Sequence, residues 1–190
     1  MPYSFRSEQW LPYPVDTVFA FLADPANLPA LMPEWQRSRL VEVSLVPPRR
    51  AAGAADSAKA AGAGTRLVLS LRPIPHLPIR VRWHAEIVEF AWNDRFSDRQ
   101  ISGPFAWWEH HHRVRALDNN GVGVTILTDE IEYEMPFGAL GRLAHSMFVR
   151  QRIEEAFNFR HAQIAAALAL ASRPAAQKTS RVSQETSRAS

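Results

Sequence analysis

The chain has 190 residues, 46% of them hydrophobic, no cysteine and a formal charge of +3, enough for one well-buried domain and too short to favour two. Arg173, Lys178, Arg181 and Arg188 against Glu185 carry all of that charge in the C-terminal tail, so the body is neutral and nucleic acid is a poor candidate partner. Disulfide and thiolate chemistry are excluded; with no basic-then-apolar leader after Met1 and no run of roughly 20 apolar residues, a cytoplasmic protein without integral membrane contact is expected.

Tyr3 to Leu11 reads as a weakly alternating strand ended by Pro12 and Pro14. Val15, Val18, Phe19 and Leu22 then fall at helical spacing behind Pro14, a residue suited to a first helical turn. Asp24 and Pro25 read as cap and first position of a second short helix through Leu28 and Leu31, stopped by Pro33. Arg39 to Val46 is a strand leading to Pro47 and Pro48. Ala51 to Gly64, almost all Ala, Gly, Ser and Lys, has little to bury and is expected to be a flexible connection. Thr65 to Arg72 alternates again, and Pro73 to Pro78 turns the chain into a strand with Ile79, Val81, Trp83, Ala85 and Ile87 on one face. Arg95 to Ser102 is a strand with Phe96, Asp98 and Gln100 sharing a side, followed by a turn at Gly103 and Pro104.

The next stretch, GPFAWWEHHHRV, carries the sharpest chemical contrast. Trp108, His110, His112, Val114 and Ala116 share one side of a strand, and Glu109, His111, Arg113 and Arg115 the other. The even face continues into aliphatic residues, so its histidines point into an apolar interior where polar groups need partners; Glu109 and His111 are expected in solvent, and Trp107 on the outer face covers sheet surface or sits in a dimer contact. Thr125 to Met135 places Leu127, Ile131, Tyr133 and Met135 inward. Strands of this kind form antiparallel sheets with one wet face. Gly138 to Ala171 supplies the cover, an amphipathic helix with Leu140, Leu143, Met147, Ile153, Phe157, Ile164 and Leu168 in its stripe, broken by Arg150, Glu154 and His161. Glu154 and Glu155 read as solvated ion pairs with Arg150 and Arg152. From Arg173 on, the polar composition predicts a disordered tail.

This order of elements, with the segments VFAFLADPANLPALMP, RWHAEIVEF, GPFAWWEHHHRV, TDEIEYEMPFGALGRL and MFVRQRIEEAFNFR, resembles the helix-grip fold of the START-like (SRPBCC) superfamily over Tyr3 to Leu170. It is most similar to the bacterial polyketide cyclase/dehydrase and lipid-transport branch. The resemblance implies an α+β domain over residues 1–172 followed by the basic tail 173–190. In it, a curved seven-stranded antiparallel sheet wraps a long C-terminal helix, with two short helices after the first strand. Between sheet and helix such proteins hold lipids, polyketides, sterols or plant secondary metabolites; many are carriers or sensors and a minority are cyclases or dehydratases, so the fold does not decide whether there is a reaction. The Ala-rich segment and the tail depart from the pattern.

Asn120-Gly121 is a strong two-residue hairpin signal. A turn there sets Val114 opposite Leu127, His112 opposite Asp129, His110 opposite Ile131 and Trp108 opposite Tyr133, each pair joining residues independently expected to face inward; a one-residue slip would break the agreement. Asp129 is therefore expected to accept a hydrogen bond from His112, near His110 or Gln100. The candidate ligand-binding residues are Trp83, Gln100, Trp108, His110, His112, Asp129, Tyr133 and Phe157, with His112 and Asp129 the candidate catalytic pair. Plain alternatives stand beside each: a His-Asp couple that only satisfies itself, and aromatics that are only core. His110, His112 and Asp129 also imitate a two-histidine, one-carboxylate metal site, although no metal or cofactor is expected.

The leading expectation is non-covalent binding of a hydrophobic or amphipathic small molecule, such as a lipid, polyketide or quinone, as carrier or sensor. The alternatives are a cyclase or dehydratase using His112 as general base, with no serine or cysteine marked as nucleophile, and a protein-interaction module with a vestigial cavity.

Overall fold

Period-two alternation builds most of the molecule. The computed structural model describes residues 2–49, 59–119 and 122–172. Its strands are β1 (Tyr3–Leu11), β2 (Arg39–Ser44), β3 (Arg66–Leu71), β4 (Val81–Ala91), β5 (Arg95–Ser102), β6 (Trp107–Asn119) and β7 (Val122–Glu134). They form one open antiparallel sheet in the order β1-β7-β6-β5-β4-β3-β2. Register shifts at His84/Ala85 and Ile87/Glu89 are bulges of the kind that bend a sheet; the second lets both Ile87 and Phe90 pack inward. β4 begins two residues later than expected, leaving Ile79 exposed, because the proline-rich stretch before it lacks the N–H groups that continue a ladder. Ala116, expected inside, is exposed.

Pro14 precedes α1 (Val15–Ala23), which buries Val18, Phe19, Leu22 and Ala23. The next turn is capped by Asp24, whose carboxylate accepts from the Ala26 N–H at 2.9 Å. With Pro25 at its start and Pro29 inside, it winds as a 3₁₀ helix, Pro25–Leu31, and another follows at Glu34–Gln36; proline inside an α-helix would cost an i→i−4 bond.

The C-terminal helix comprises α2 (Gly138–Ala144), a π turn (His145–Val149) and α3 (Arg150–Ala171). α3 buries Ile153, Phe157, Arg160, Ile164 and Leu168. The expected stripe fails upstream: Leu140, Leu143 and Met147 are 73%, 57% and 68% exposed. One residue inserted by a π turn rotates the face by about 100° relative to α3.

The Ala-rich segment also differs from expectation where it is described. Residues 51–58, the turn residues 120–121 and the tail 173–190 lie outside the described residues, but Ala60 and Ala61 are buried in the core beside α1. The Ala61 N–H donates to the Ala23 carbonyl (2.9 Å), Gly62 to Val46 (2.9 Å) and Gly64 to Ile87 (2.8 Å). A Cβ on Gly62 would stand 2.7 Å from the Pro48 nitrogen, so only glycine permits this approach. Small side chains let backbone itself close the core here. Among the described residues no helix is long and apolar enough to cross a membrane.

Candidate functional site

Between the sheet and α3 lies a cavity of about 400 Å³. Leu69, Trp83 and Ile87 face it from the sheet, Leu31 from the 3₁₀ turn, and Ile153 and Phe157 from the helix. Apart from Gln36 and Arg152, its polar side chains gather where β5, β6 and α3 meet: Asp98, His110, His112 and Arg160.

Strand register puts them there. β6 and β7 pair Trp108 with Tyr133, His110 with Ile131, His112 with Asp129 and Val114 with Leu127, and the ladder runs to Asn119 opposite Val122, as the hairpin reading requires. β5 then sets Asp98 opposite His110 and Phe96 opposite His112. Asp129, wholly buried, stands behind both imidazoles: its Oδ1 lies 3.1 Å from His110 Nε2 and 2.7 Å from His112 Nδ1. The His110 N–H donates to it in good alignment. His112 Nδ1 makes a close contact without a hydrogen-bonding direction, so the expected single His112–Asp129 hydrogen bond becomes one carboxylate oxygen shared by two rings. On the cavity side, Asp98 Oδ2 is 3.7 Å from His110 Nδ1 and 3.4 Å from His112 Nε2. Arg160 Nε approaches the other oxygen of Asp129 at 4.0 Å, an ionic contact too long for a hydrogen bond. Phe96 stacks on His112 with ring centroids 4.2 Å apart, and Phe157 meets His110 edge-on at 5.4 Å.

These partners fix the charges. Burial, with the neighbouring His112 charge second, pushes His110 down to about 4, so its ring is neutral at pH 7. Burial also works against a charged His112, but the Asp129 and Asp98 carboxylates outweigh it and the net direction is upward. Burial disfavours both carboxylates in turn; Arg160 and the histidines hold Asp129 well below the usual range, and His112 above all lowers Asp98. Two carboxylates thus face the Arg160 guanidinium and an imidazole, His112, whose proton they hold more firmly than usual, and this pairing makes the buried charge tolerable.

Of the candidate residues, Trp83, Trp108, His110, His112 and Phe157 line the cavity, and Asp129 supports it from behind. Tyr133 and Gln100 do not line it. Burial raises the Tyr133 hydroxyl to about 12, and this hydroxyl shares a hydrogen bond with His145 Nε2 at 2.9 Å, with His145 stacked on Tyr3; the π turn is held by this contact. Gln100 donates from its amide to the Phe105 carbonyl at 2.8 Å and lies across Gly103, where a Cβ would meet its Oε1 at 2.4 Å; it braces the β5–β6 turn. On the outer face Glu109 is only 15% exposed and pairs with Arg99 at 3.0 Å, and Ser97 bonds His111 Nδ1 at 2.8 Å, so neither is simply solvated. Glu154 and Glu155 do pair with Arg150 and Arg152.

Asp98 and Arg160 were not among the candidates. Asp98 had a signal, a carboxylate on the inward face of a strand between Phe96 and Gln100. Arg160 had one too, since it sits three residues after Phe157 and four before Ile164, in the middle of the apolar stripe.

The fold has solved counterparts. TTHA0849 from Thermus thermophilus superposes with a TM-score of 0.63 at 19% identity, over 90% of this chain and 100% of that one. The ZhuI aromatase/cyclase from Streptomyces sp. R1128 gives 0.64 at 14% identity, over 92% and 98%. A START superfamily protein from Mycobacterium smegmatis gives 0.57 at 12%, over 89% and 99%. At these identities the likeness is one of fold. No curated protein matches the chain. Residues 11–158 match the family described as polyketide cyclase / dehydrase and lipid transport, and with the helix-grip architecture in place the chain belongs to that START-like family.

Proposed function

We propose that this protein is a carrier or sensor that holds a hydrophobic or amphipathic small molecule without covalent chemistry. The observation that carries this reading is the cavity of about 400 Å³, within the usual size of small-molecule sites and built like them, with mostly apolar walls and a few convergent polar groups. The ligand's apolar body lies along Trp83, Ile87 and Phe157, and a polar end, a carbonyl or hydroxyl, meets His112, Asp98 and Arg160. The imidazole N–H and the guanidinium donate hydrogen bonds and Asp98 accepts one, so the patch orients one end of an otherwise greasy molecule. An interaction module with a vestigial cavity is less well supported, because the space is not filled by side chains.

Native mass spectrometry of protein purified without denaturant tests this: a co-purifying molecule of lipid, quinone or polyketide character is expected, with thermal stabilisation on adding it back. A protein that carries nothing, and that no member of such a panel stabilises, overturns the reading. One observation favours a cyclase or dehydratase as second reading. His110, whose ring burial keeps neutral, stands beside His112, whose proton the carboxylates hold more firmly, with centroids 3.8 Å apart, so a base and an acid could share the cavity wall. In this second reading His110 is the better placed base and His112 the acid. For a binder, His112→Ala weakens affinity moderately; for an enzyme, His110→Ala removes turnover of a bound polyketone while leaving its binding in place.

A further inference from the structure

We propose that Asp98, His110 and His112 form a binding site for a divalent first-row transition metal ion at the polar end of the cavity. The proposal shares residues with the ligand site above but does not require an organic ligand. One donor atom from each of the three residues lies within 4.8 Å of the other two. The cavity-side atoms are nearer still: Asp98 Oδ2 is 3.4 Å from His112 Nε2 and 3.7 Å from His110 Nδ1. A metal at about 2.0–2.2 Å from nitrogen and oxygen ligands in tetrahedral geometry sets neighbouring donors about 3.4 Å apart. Asp98 therefore stands at ligating separation from both imidazoles, and the two rings, whose donors are within 4.8 Å of each other, need only a side-chain adjustment to complete the set.

The second, independent feature lies on the other side of the rings. Each histidine turns its remaining nitrogen to Asp129 Oδ1, at 3.1 Å for His110 and 2.7 Å for His112. A buried carboxylate behind ligating imidazoles fixes ring orientation and raises ligand basicity. Asp129 serves two rings at once, and its other oxygen faces Arg160. A His-Asp couple that merely satisfied itself would not need a second carboxylate on the opposite side of both rings.

Donor type and access select the ion. Two imidazoles and one carboxylate suit Zn²⁺, Fe²⁺, Co²⁺ or Ni²⁺, whereas Mg²⁺ and Ca²⁺ prefer oxygen alone. Three protein ligands leave at least one position open, as catalytic rather than structural sites do. All three residues line the cavity, so that position faces the bound molecule. A carbonyl, enol or carboxylate oxygen of the ligand fits it.

Cobalt(II) tests the proposal, because its visible d–d bands report coordination directly. Chelator-stripped protein titrated with CoCl₂ at about pH 8, where a ligating imidazole gives up its proton to the metal, is expected to take up one equivalent, with bands that Zn²⁺ abolishes. Asp98→Asn and His112→Ala lose the saturable uptake, and Asp129→Asn weakens it about 10–100-fold, the usual effect of removing an outer carboxylate. His111→Ala leaves it unchanged, since that ring bonds Ser97 on the outer face. Should the first two variants misfold, the unmodified protein still decides: Co²⁺ shifts and broadens the His110 and His112 ring resonances before those of His76, His84 or His111. Absence of one-equivalent uptake, uptake that folded Asp98→Asn retains in full, or first broadening at another histidine overturns the site. Binding of the fluorescent probe 1-anilinonaphthalene-8-sulfonate to the metal-free protein is followed in parallel. Probe binding without metal uptake removes the metal site and leaves the binder reading intact; metal uptake without probe binding does the reverse.

Discussion

The two ends of the space between sheet and helix are packed differently. At one end Leu11, Val18, Phe19, Val114, Leu127, Ile164 and Leu168 pack together, with Ala60 and Ala61 pressed against them. At the other, Trp108, Tyr133, Ile153 and Phe157 form a separate cluster beside a hole. His110, His112, Asp129 and Arg160 lie between the two. The contrast assigns the work: interdigitated side chains, aliphatic and aromatic, hold the fold at the first end, while the rings at the second form walls that need not touch across the gap. Truncation should therefore separate stability from binding. Phe19 is wholly buried and meets the rings of Phe90, Trp92 and Phe96; Phe19→Ala is expected to cost about 3–5 kcal/mol in urea denaturation with little change in 1-anilinonaphthalene-8-sulfonate affinity at temperatures where the variant is folded. Phe157→Ala enlarges an existing hole, so its stability loss is smaller and its loss of probe affinity larger. The same ranking in both assays would erase the distinction.

The polar seam is the next place to press. Removing one partner of a buried ion pair typically costs about 3–5 kcal/mol. Asp129→Asn keeps the shape and removes a carboxylate that helps hold the His112 proton, so that ring can become neutral and a smaller loss of about 2–3 kcal/mol is expected. Arg160→Met in the same chain removes the other cation that Asp129 balances. The double variant should therefore be more stable than the sum of the single losses, an interaction energy that a double-mutant cycle measures. Simple additivity would mean that Arg160 and Asp129 do not balance each other.

A finer cut separates the two imidazoles by pH in the metal-free protein. His110 titrates near about 4 folded against about 6.5 unfolded. As pH falls from about 6.5 to 4 the unfolded chain binds a proton that the folded one refuses, so stability drops over that window. His112 has the opposite sign: its pKa is raised, its contribution is full below about 6.5 and is lost as pH rises beyond. The lowered Asp98 and Asp129 act only below the usual carboxylate range. Urea midpoints between pH 4.5 and 6.5, a window set around about 6.5 for a free imidazole, should fall with acidification in the parent. They should fall less steeply in His110→Gln; an unchanged slope would remove His110 as the neutral ring.

How much of this could be read from the residues differs by region for physical reasons. The β6–β7 register was legible because a two-residue turn leaves no freedom in pairing once inward faces are known, and Asn119 opposite Val122 follows. β5 was not. Its link to β6 runs through Gly103 to Ala106, a loop whose length does not fix the offset, so Gln100 was favoured although Asp98, two residues away on the same face, reaches the histidines. Arg160 was hidden by the opposite habit, since a charged residue within an apolar stripe is read past rather than read as buried. Ala60 to Gly64 failed because small side chains suggest nothing to bury, when what is buried there is backbone. The helix failed where its period changed.

That last failure gives the smallest expected effect and a clean test of the comparison. Leu143 and Leu168 belong to one apolar periodicity, yet Leu168 is 1% exposed and Leu143 57%. Leu168→Ser removes a side chain from the packed end and leaves a polar group in the hole, a loss in the range of about 2–5 kcal/mol for buried leucine truncations. Leu143→Ser touches little and should stay within about 0.5 kcal/mol, as surface changes do. The π turn is what separates them, so the difference should shrink if that turn is lost. Tyr133→Phe removes the hydroxyl that holds His145 and is the mildest way to loosen it; with the turn loosened, Leu143→Ser should begin to carry a measurable cost. If instead Leu143→Ser costs as much as Leu168→Ser in the parent chain, then α2 lies against the protein in solution and the exposed strip along it is not a surface at all.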